Sequence, residues 1–310
     1  MRAARDCIEQ ALPILREVGD QPGETGCLDS LGYVHLWMGD YGAAVRCYEQ
    51  ALELARQARY RRGEVNVLFH LGHFYNHVGL YARGKGYLQE GLAMARQERD
   101  RRRIAYHLLS ASVSERGLGE VEAACESARQ AVAVLQEIGD GGGEGAACSV
   151  LADACLDLGQ WAEAAEAARR ALALCPPATH PAAALHGRVR LARALLRMGD
   201  LAVARELVDG VLHDMENGAD AAEVEEGPLA AYLGCFQVLS AAGDGRARAI
   251  LERAHEHLQS QAARIEDEAL RRSFLENKPV HRAILAAWPG PVQGSGEARA
   301  GACTGQETEP

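Results

Sequence analysis

"LGYVHLWMGDYGAAVRCYEQALELARQ", residues 31–57, and "LGHFYNHVGLYARGKGYLQEGLAMARQ", residues 71–97, are one pattern written twice, 40 residues apart. Gly32 falls on Gly72, Gly39 on Gly79, Tyr41 on Tyr81, and Ala55-Arg56-Gln57 on Ala95-Arg96-Gln97. The same step reaches Gly119, Gly159 and Gly199, and aligns Ala44 with Gly84, Ala124, Ala164 and Ala204. A register kept over five units defines a repeat array, in which each unit buries its apolar face only against its neighbours.

Each unit reads as two helices. Leu28, Leu31 and Val34 recur at three-residue steps, one face of a helix, and the run stops at the glycine turn of Gly39. Second helices are predicted to start near Tyr41, Tyr81, Val121, Trp161 and Leu201. Composition agrees: the chain is 48% hydrophobic but only 5% aromatic, so its apolar surface is mostly Ala, Leu and Val, which favours helices over a sheet sandwich. Small residues at fixed positions let paired helices approach closely.

Leu31-Gly32, the Gly39-Asp40-Tyr41 turn, and Ala44, Tyr48 and Ala51 resemble the tetratricopeptide repeat. That resemblance implies an all-α, right-handed α-solenoid of antiparallel helix pairs, here with units of 40 rather than the usual ~34 residues. It covers residues 1–265 and weakens where Ala152 and Ala192 replace the glycine. Repeats are expected at about 24–58, 64–98, 104–138, 144–175, 184–216 and 228–265. The register slips by about three residues across the acidic loop 217–228. The last second helix is expected near 246–275. Capping helices follow at 266–288, and a Gly- and Pro-rich tail from 289 to 310 is expected to be disordered. Ala4, Cys7 and Ala11 sit 40 before Ala44, Cys47 and Ala51, so residues 1–18 read as the second helix of a truncated repeat. The expectation is that the sequence is the C-terminal part of a longer protein. "RRSFLENKPVHRAIL", residues 271–285, resembles the end of helical arms in bacterial signalling proteins that carry an ATPase module and a transcription-factor or cyclase domain.

Several function classes are disfavoured. A net charge of -10 argues against broad nucleic-acid binding, which needs clustered cations, although Arg59, Arg61, Arg62, Arg99, Arg101, Arg102 and Arg103 crowd two adjacent turns. No apolar run approaches the roughly 20 residues that span a bilayer, and the N-terminus lacks the form of a signal peptide. Nine cysteines without a C-x-x-C pair read as buried, reduced thiols of a cytoplasmic protein, with Cys148 and Cys155 sharing a core face. The segment Gly79–Gly86 is one residue short of a phosphate loop and lacks its terminal hydroxyl residue, so Gly79 reads as a turn and Gly84 as a packing site.

The residues opposite the core arc of each first helix are the candidate partner-binding groove. In the second full unit these are Asn66, His70, His73, Asn76 and His77, with Phe69 among them. The same rule carried to the other units gives Tyr33 and Trp37, then Arg116, then Asp153 and Asp157, then Arg190, Arg193 and Arg197. Such a groove would run from aromatic and imidazole through acidic to basic, suiting an extended peptide of mixed charge. His73 and His77, at i and i+4, also have a spacing compatible with zinc, which is the alternative reading as a metal sensor or enzyme. A nucleic-acid-binding helical repeat is a third. No catalytic residue and no cofactor are expected. The partner is expected to be a protein or peptide, including a fused or partner ATPase or effector domain.

Overall fold

The computed structural model describes residues 1–217 and 227–290. The acidic loop and the tail expected at 217–228 and 289–310 fall almost entirely outside the described residues. Within them the chain is helical throughout: α1 (Arg2–Val18), α2 (Gln21–Met38), α3 (Tyr41–Gln57), α4 (Arg61–His77), α5 (Tyr81–Gln97), α6 (Arg101–Leu118), α7 (Val121–Glu137), α8 (Gly141–Leu158), α9 (Trp161–Leu174), α10 (Pro181–Met198), α11 (Leu201–Glu216), α12 (Gly227–Ala241), α13 (Ala247–Ala262), α14 (Glu268–Glu276) and α15 (Pro279–Ala287). The five second helices open at the residues that the repeat phase marks. None of the fifteen is long and apolar enough to cross a membrane.

The turns explain the phase. At the end of α2, Gly39 adopts φ 82°; its N–H reaches Leu36 O at 3.1 Å and the N–H of Asp40 reaches His35 O at 3.0 Å. This left-handed cap satisfies the last carbonyls of the helix, and only glycine enters it freely. Asp40 then caps the next helix, its side chain accepting from the N–H of Ala43 at 2.9 Å. Asp20, Asp100, Asp140 and Asp200 do the same for their own helices. The other conserved spacing is a close approach: a Cβ on Gly32 would lie 2.6 Å from the Tyr48 ring. Tyr48 is buried in that gap, so glycine here sets the distance between α2 and α3.

Neighbouring repeats are joined by apolar cores and by ion pairs one unit apart. Arg56 meets Glu90 at 2.6 Å, Arg129 meets Glu163 at 2.8 Å and Arg246 meets Asp209 at 2.7 Å. Four arginines of the ridge at the inter-repeat turns are also paired, three across a repeat and one within its own turn. Arg61 pairs with Glu98, Arg101 with Glu137, Arg102 with Asp140 and Arg103 with Asp100. Five of the cysteines, Cys125, Cys148, Cys155, Cys175 and Cys235, are buried and free.

Two features depart from the sequence reading. The helix expected at 246–275 is two helices, because α13 ends at Ala262 and Asp267 caps a new one, accepting from Leu270 N–H at 2.8 Å. More consequentially, the array curls until its ends touch. Ser273 Oγ donates to Val78 O at 2.8 Å and Asn277 Nδ2 donates to Gly79 O at 3.1 Å, joining α14 to the α4–α5 turn. Tyr41 and Leu270 each pack against both the N-terminal core, around Tyr48 and Phe74, and the C-terminal core, around Leu258 and Phe274.

Arg59 and Arg99 occupy the same turn position as Gly19 and Gly139, with φ of 52° and 56°, and both are exposed. A left-handed L-residue costs about 1–2 kcal/mol. Arg59→Gly is therefore expected to stabilise the protein by about 1 kcal/mol once the freer unfolded chain is allowed for. Denaturant unfolding tests this, and a lower midpoint would contradict the strain.

Candidate functional site

Closure of the array gives it an interior. Stripes at helical spacing line it: Phe69, His73 and Asn76 from α4, Tyr106, Ser110, Val113 and Arg116 from α6, Ser149 and Asp153 from α8, and Ala183 and Arg190 from α10. Tyr81, His180 and Lys278 complete the wall around a cavity of about 410 Å³. That volume is within the ~300–1,000 Å³ typical of ligand pockets.

One side of the cavity is an ion cluster built across three repeats. Asp153, 4% exposed, receives both Nε and Nη2 of Arg190 at 2.8 Å. Arg193 Nη1 lies 3.6 Å and Arg116 Nη1 3.9 Å from the same carboxylate. Arg116 Nε donates to Asp157 at 2.6 Å. Burial pushes the Asp153 carboxyl up, but the guanidiniums of Arg190, Arg116 and Arg193 outweigh it and hold the group below its ordinary range.

This arrangement corrects the expected charge gradient. The acidic and basic residues of the third, fourth and fifth full units neutralise one another, because residues on equivalent arcs of adjacent first helices face each other across the repeat boundary. Of the expected groove residues, His73, Asn76, Arg116, Asp153 and Arg190 line the cavity, whereas Asp157, Arg193 and Arg197 do not. Arg193 also donates to Gln237 at 3.1 Å, and Arg197 sits over the Trp161 ring at 4.9 Å. Asn76 is buried and engaged by its neighbours: it donates to Ser110 O at 3.0 Å and accepts from Ser114 Oγ at 2.7 Å. Gly84 makes that possible, since a Cβ there would stand 2.7 Å from Asn76 Oδ1.

The first two units place their aromatics elsewhere. Tyr33 is 42% exposed, its ring 6.0 Å from Trp37 and 6.3 Å from His70. Asn66 accepts from Arg103 Nε at 2.9 Å, and His70 Nδ1 lies 2.7 Å from Asp29. Trp37 and His77 line a second cavity, of about 250 Å³, inside the closure seam with Tyr41, Phe274, Lys278 and His281. His73 and His77 therefore face different cavities. Among the described residues no three His, Cys, Asp or Glu side chains come together as a metal site.

The seam is lined by imidazoles held neutral. His77, with Nε2 3.3 Å from the Tyr41 hydroxyl, is pushed well below its ordinary range by burial and by Lys278, His73 and His281. His281 donates from Nδ1 to Phe274 O at 2.7 Å; burial and Lys278 lower it to about 3. Lys278 Nζ lies over the Phe274 ring at 5.5 Å, and the residue lines both cavities. Sequence periodicity could not reveal Lys278, because it belongs to no repeat and reaches the site only through closure.

Tetratricopeptide-repeat models match residues 25–58 and 145–178, the α2–α3 and α8–α9 pairs. The fold is that of an all-helical repeat array, and the two matched segments are tetratricopeptide repeats. Among solved structures it is similar to BtubC (BKLC) from P. vanneervenii, at 16% identity over 70% of this chain and 92% of that one, TM-score 0.61. The apo form of the quorum sensor NprR from B. thuringiensis aligns at 15% identity over 92% and 83%, TM-score 0.58. A Rap protein complexed with Competence and Sporulation Factor aligns at 14% over 91% and 84%, TM-score 0.57. At these identities the likeness concerns the fold. No curated protein matches the chain.

Two outcomes follow. Asp153→Ala leaves buried guanidiniums without their carboxylate and is expected to destabilise the protein by about 3–5 kcal/mol in denaturant unfolding. The second concerns pH. His281 has a folded pKa below the unfolded value of about 6.5, so its neutral form's contribution is complete above that pH and is lost as pH falls toward about 3. Amide exchange in α14 and α15, corrected for intrinsic rates, should accelerate between about pH 7.5 and about pH 5. Unchanged protection would show that the seam does not depend on neutral imidazole.

Proposed function

We propose that this chain is a non-catalytic sensor module that binds a short segment of a partner, or a free peptide, in its interior cavity. The observation that carries the reading is the cavity itself, which combines apolar walls with a fixed cluster of charged groups on one side and has the size of a ligand pocket. A folded protein does not fit such a space, but a few residues do. Similarity to a quorum sensor and to a Rap protein crystallised with its factor supports a regulatory role. The finer reading is the arm of a bacterial signal-transduction or transcriptional regulator, working on a fused or partner ATPase or effector domain. The segment 271–285 supports it, since the residues that resemble such arms are those that close the superhelix.

Ser149 lines the cavity from α8 and is half-buried, so Ser149→Trp is expected to fill the space without entering the core. Ligands co-purifying with the wild type from native extract and identified by mass spectrometry should be lost from this variant, with thermal unfolding little changed. Equal retention by the folded variant would place recognition on another surface.

A further inference from the structure

The ion cluster of the cavity, Arg116, Asp153 and Arg190, sits in the middle and later turns of α6, α8 and α10. The first turns of the same helices line the other end, with Tyr106, Gly142, Gly145, Ala146, His180 and Ala183. Among the described residues, the lining at that end carries no Asp, Glu, Lys or Arg side chain. It is also recessed, and the repeat register shows why. At the 40-residue step, Gly142 stands where the two preceding units carry Arg102 and Arg62. Ala146 replaces Tyr106 and Asn66, and Ser149 replaces Leu109 and Phe69. The fourth full unit thus omits three large side chains from the inner face of its first helix, and the cavity occupies their place.

The recess has a solid floor and a fixed edge. Gly145 is buried, and a Cβ on it would lie 2.5 Å from Cys175 Sγ, so the packing beneath is close. The edge is the Tyr106 ring, whose hydroxyl donates to Asp140 Oδ2 at 3.2 Å. The same carboxylate caps α8, accepting from Gly143 N–H at 3.0 Å, so the ring is tied to the helix that carries the recess. A Cβ on Gly143 would stand 2.9 Å from the Tyr106 hydroxyl, and glycine there lets the ring reach across the repeat boundary. Phe69 meets Tyr106 edge to face, with centroids 6.3 Å apart.

Resting on the peptide-binding reading above, we infer that this recess is an anchor subsite for one bulky apolar side chain of the peptide, aromatic in preference to aliphatic. The size follows from the omitted side chains, since the array holds a Tyr or a Leu at these positions one unit earlier. The uncharged lining makes the gain one of apolar burial, and the tethered ring requires little ordering on binding. The preference for a ring follows from the Tyr106 and Phe69 faces and edges, which accept a third ring in offset or edge-to-face contact. Ala146 and Asp153 are seven residues apart on α8, about 10 Å along its axis, which three extended peptide residues cover. A pentapeptide therefore reaches from the recess to the ion cluster.

The test is affinity selection with mass spectrometry, using the full chain and an equimolar library of N-acetylated, amidated pentapeptides. Retained sequences are sorted into those with Phe, Tyr or Trp, those with only Leu or Ile, and those with neither. Aromatic peptides should be enriched about tenfold over the last group, which corresponds to about 1.4 kcal/mol, close to the lower end for burying one such side chain. Ala146→Tyr and Ser149→Leu each restore the residue of the preceding unit and should remove the enrichment, whereas Ala146→Ser should keep it. Ala146 is exposed to the cavity and Ser149 half-buried, so these variants are expected to fold, which thermal unfolding checks. Peptides retained by the wild type without regard to bulky side chains, or enrichment that survives both filling variants, would overturn the subsite and leave the peptide reading intact. Equal loss of every peptide class from the folded filling variants would also overturn it, because the new side chains would then only block the cavity. Aliphatic peptides enriched as strongly as aromatic ones would overturn the ring preference. Retention of no peptide by the wild type would overturn both readings.

Discussion

Two hydrogen bonds, from Ser273 to Val78 O and from Asn277 to Gly79 O, span 195 and 198 residues and turn an open array into a closed one. Repeat arrays are ordinarily one-dimensional, each unit touching only the next, so that stability is a sum of local terms. Here a long-range contact is added. It depends on Gly79 lacking a side chain, since a Cβ there would lie 2.8 Å from Ser273 O. The same residue is a left-handed turn, with φ 78°, and a docking platform for the C-terminal helices. The turn geometry would suit glycine in any repeat; the platform makes it specific to this one.

The packing of adjacent first helices changes what the concave residues do. Read one unit at a time, they would present charges to solvent along a groove. In this chain the first helices approach until Asp153 is surrounded by Arg190, Arg193 and Arg116, and the cluster becomes part of the cavity wall. Buried charges of this kind demand partners, which ties three adjacent first helices together through one carboxylate. The seam is built differently, where His77, His281, Tyr41, Phe274 and Lys278 line one cavity and the Lys278 ammonium lies over the Phe274 ring. The seam and the cavity share that lysine, so the closure and the cavity wall are physically continuous.

Much of this was legible in residue spacing. The 40-residue step located the first residue of α3, α5, α7, α9 and α11, because a left-handed glycine, followed at Asp40 and Asp200 by a side chain that caps the next helix, is a local matter of φ angles and orphan amides. Gly84 was readable as a packing position, though not that it makes room for Asn76. Winding the helix placed Asn76 on the open arc, but that arc of α4 is where α6 packs, and Asn76 joins the two through Ser110 and Ser114. The break at 263–267 was missed because the apolar pattern runs on through it.

The sequence by itself determined the helix pairs, their turns and their stacking, since each depends on residues within one repeat of one another and the same short-range physics recurs at every step. Only the tertiary structure decided that the ends meet, that Trp37 and His77 face a seam while His73 faces a cavity, and that Lys278 belongs to both. Those outcomes depend on the small rotation between successive repeats summed along the whole array. No single spacing encodes that sum, so the contact between α14 and the α4–α5 turn exists only once the chain is folded.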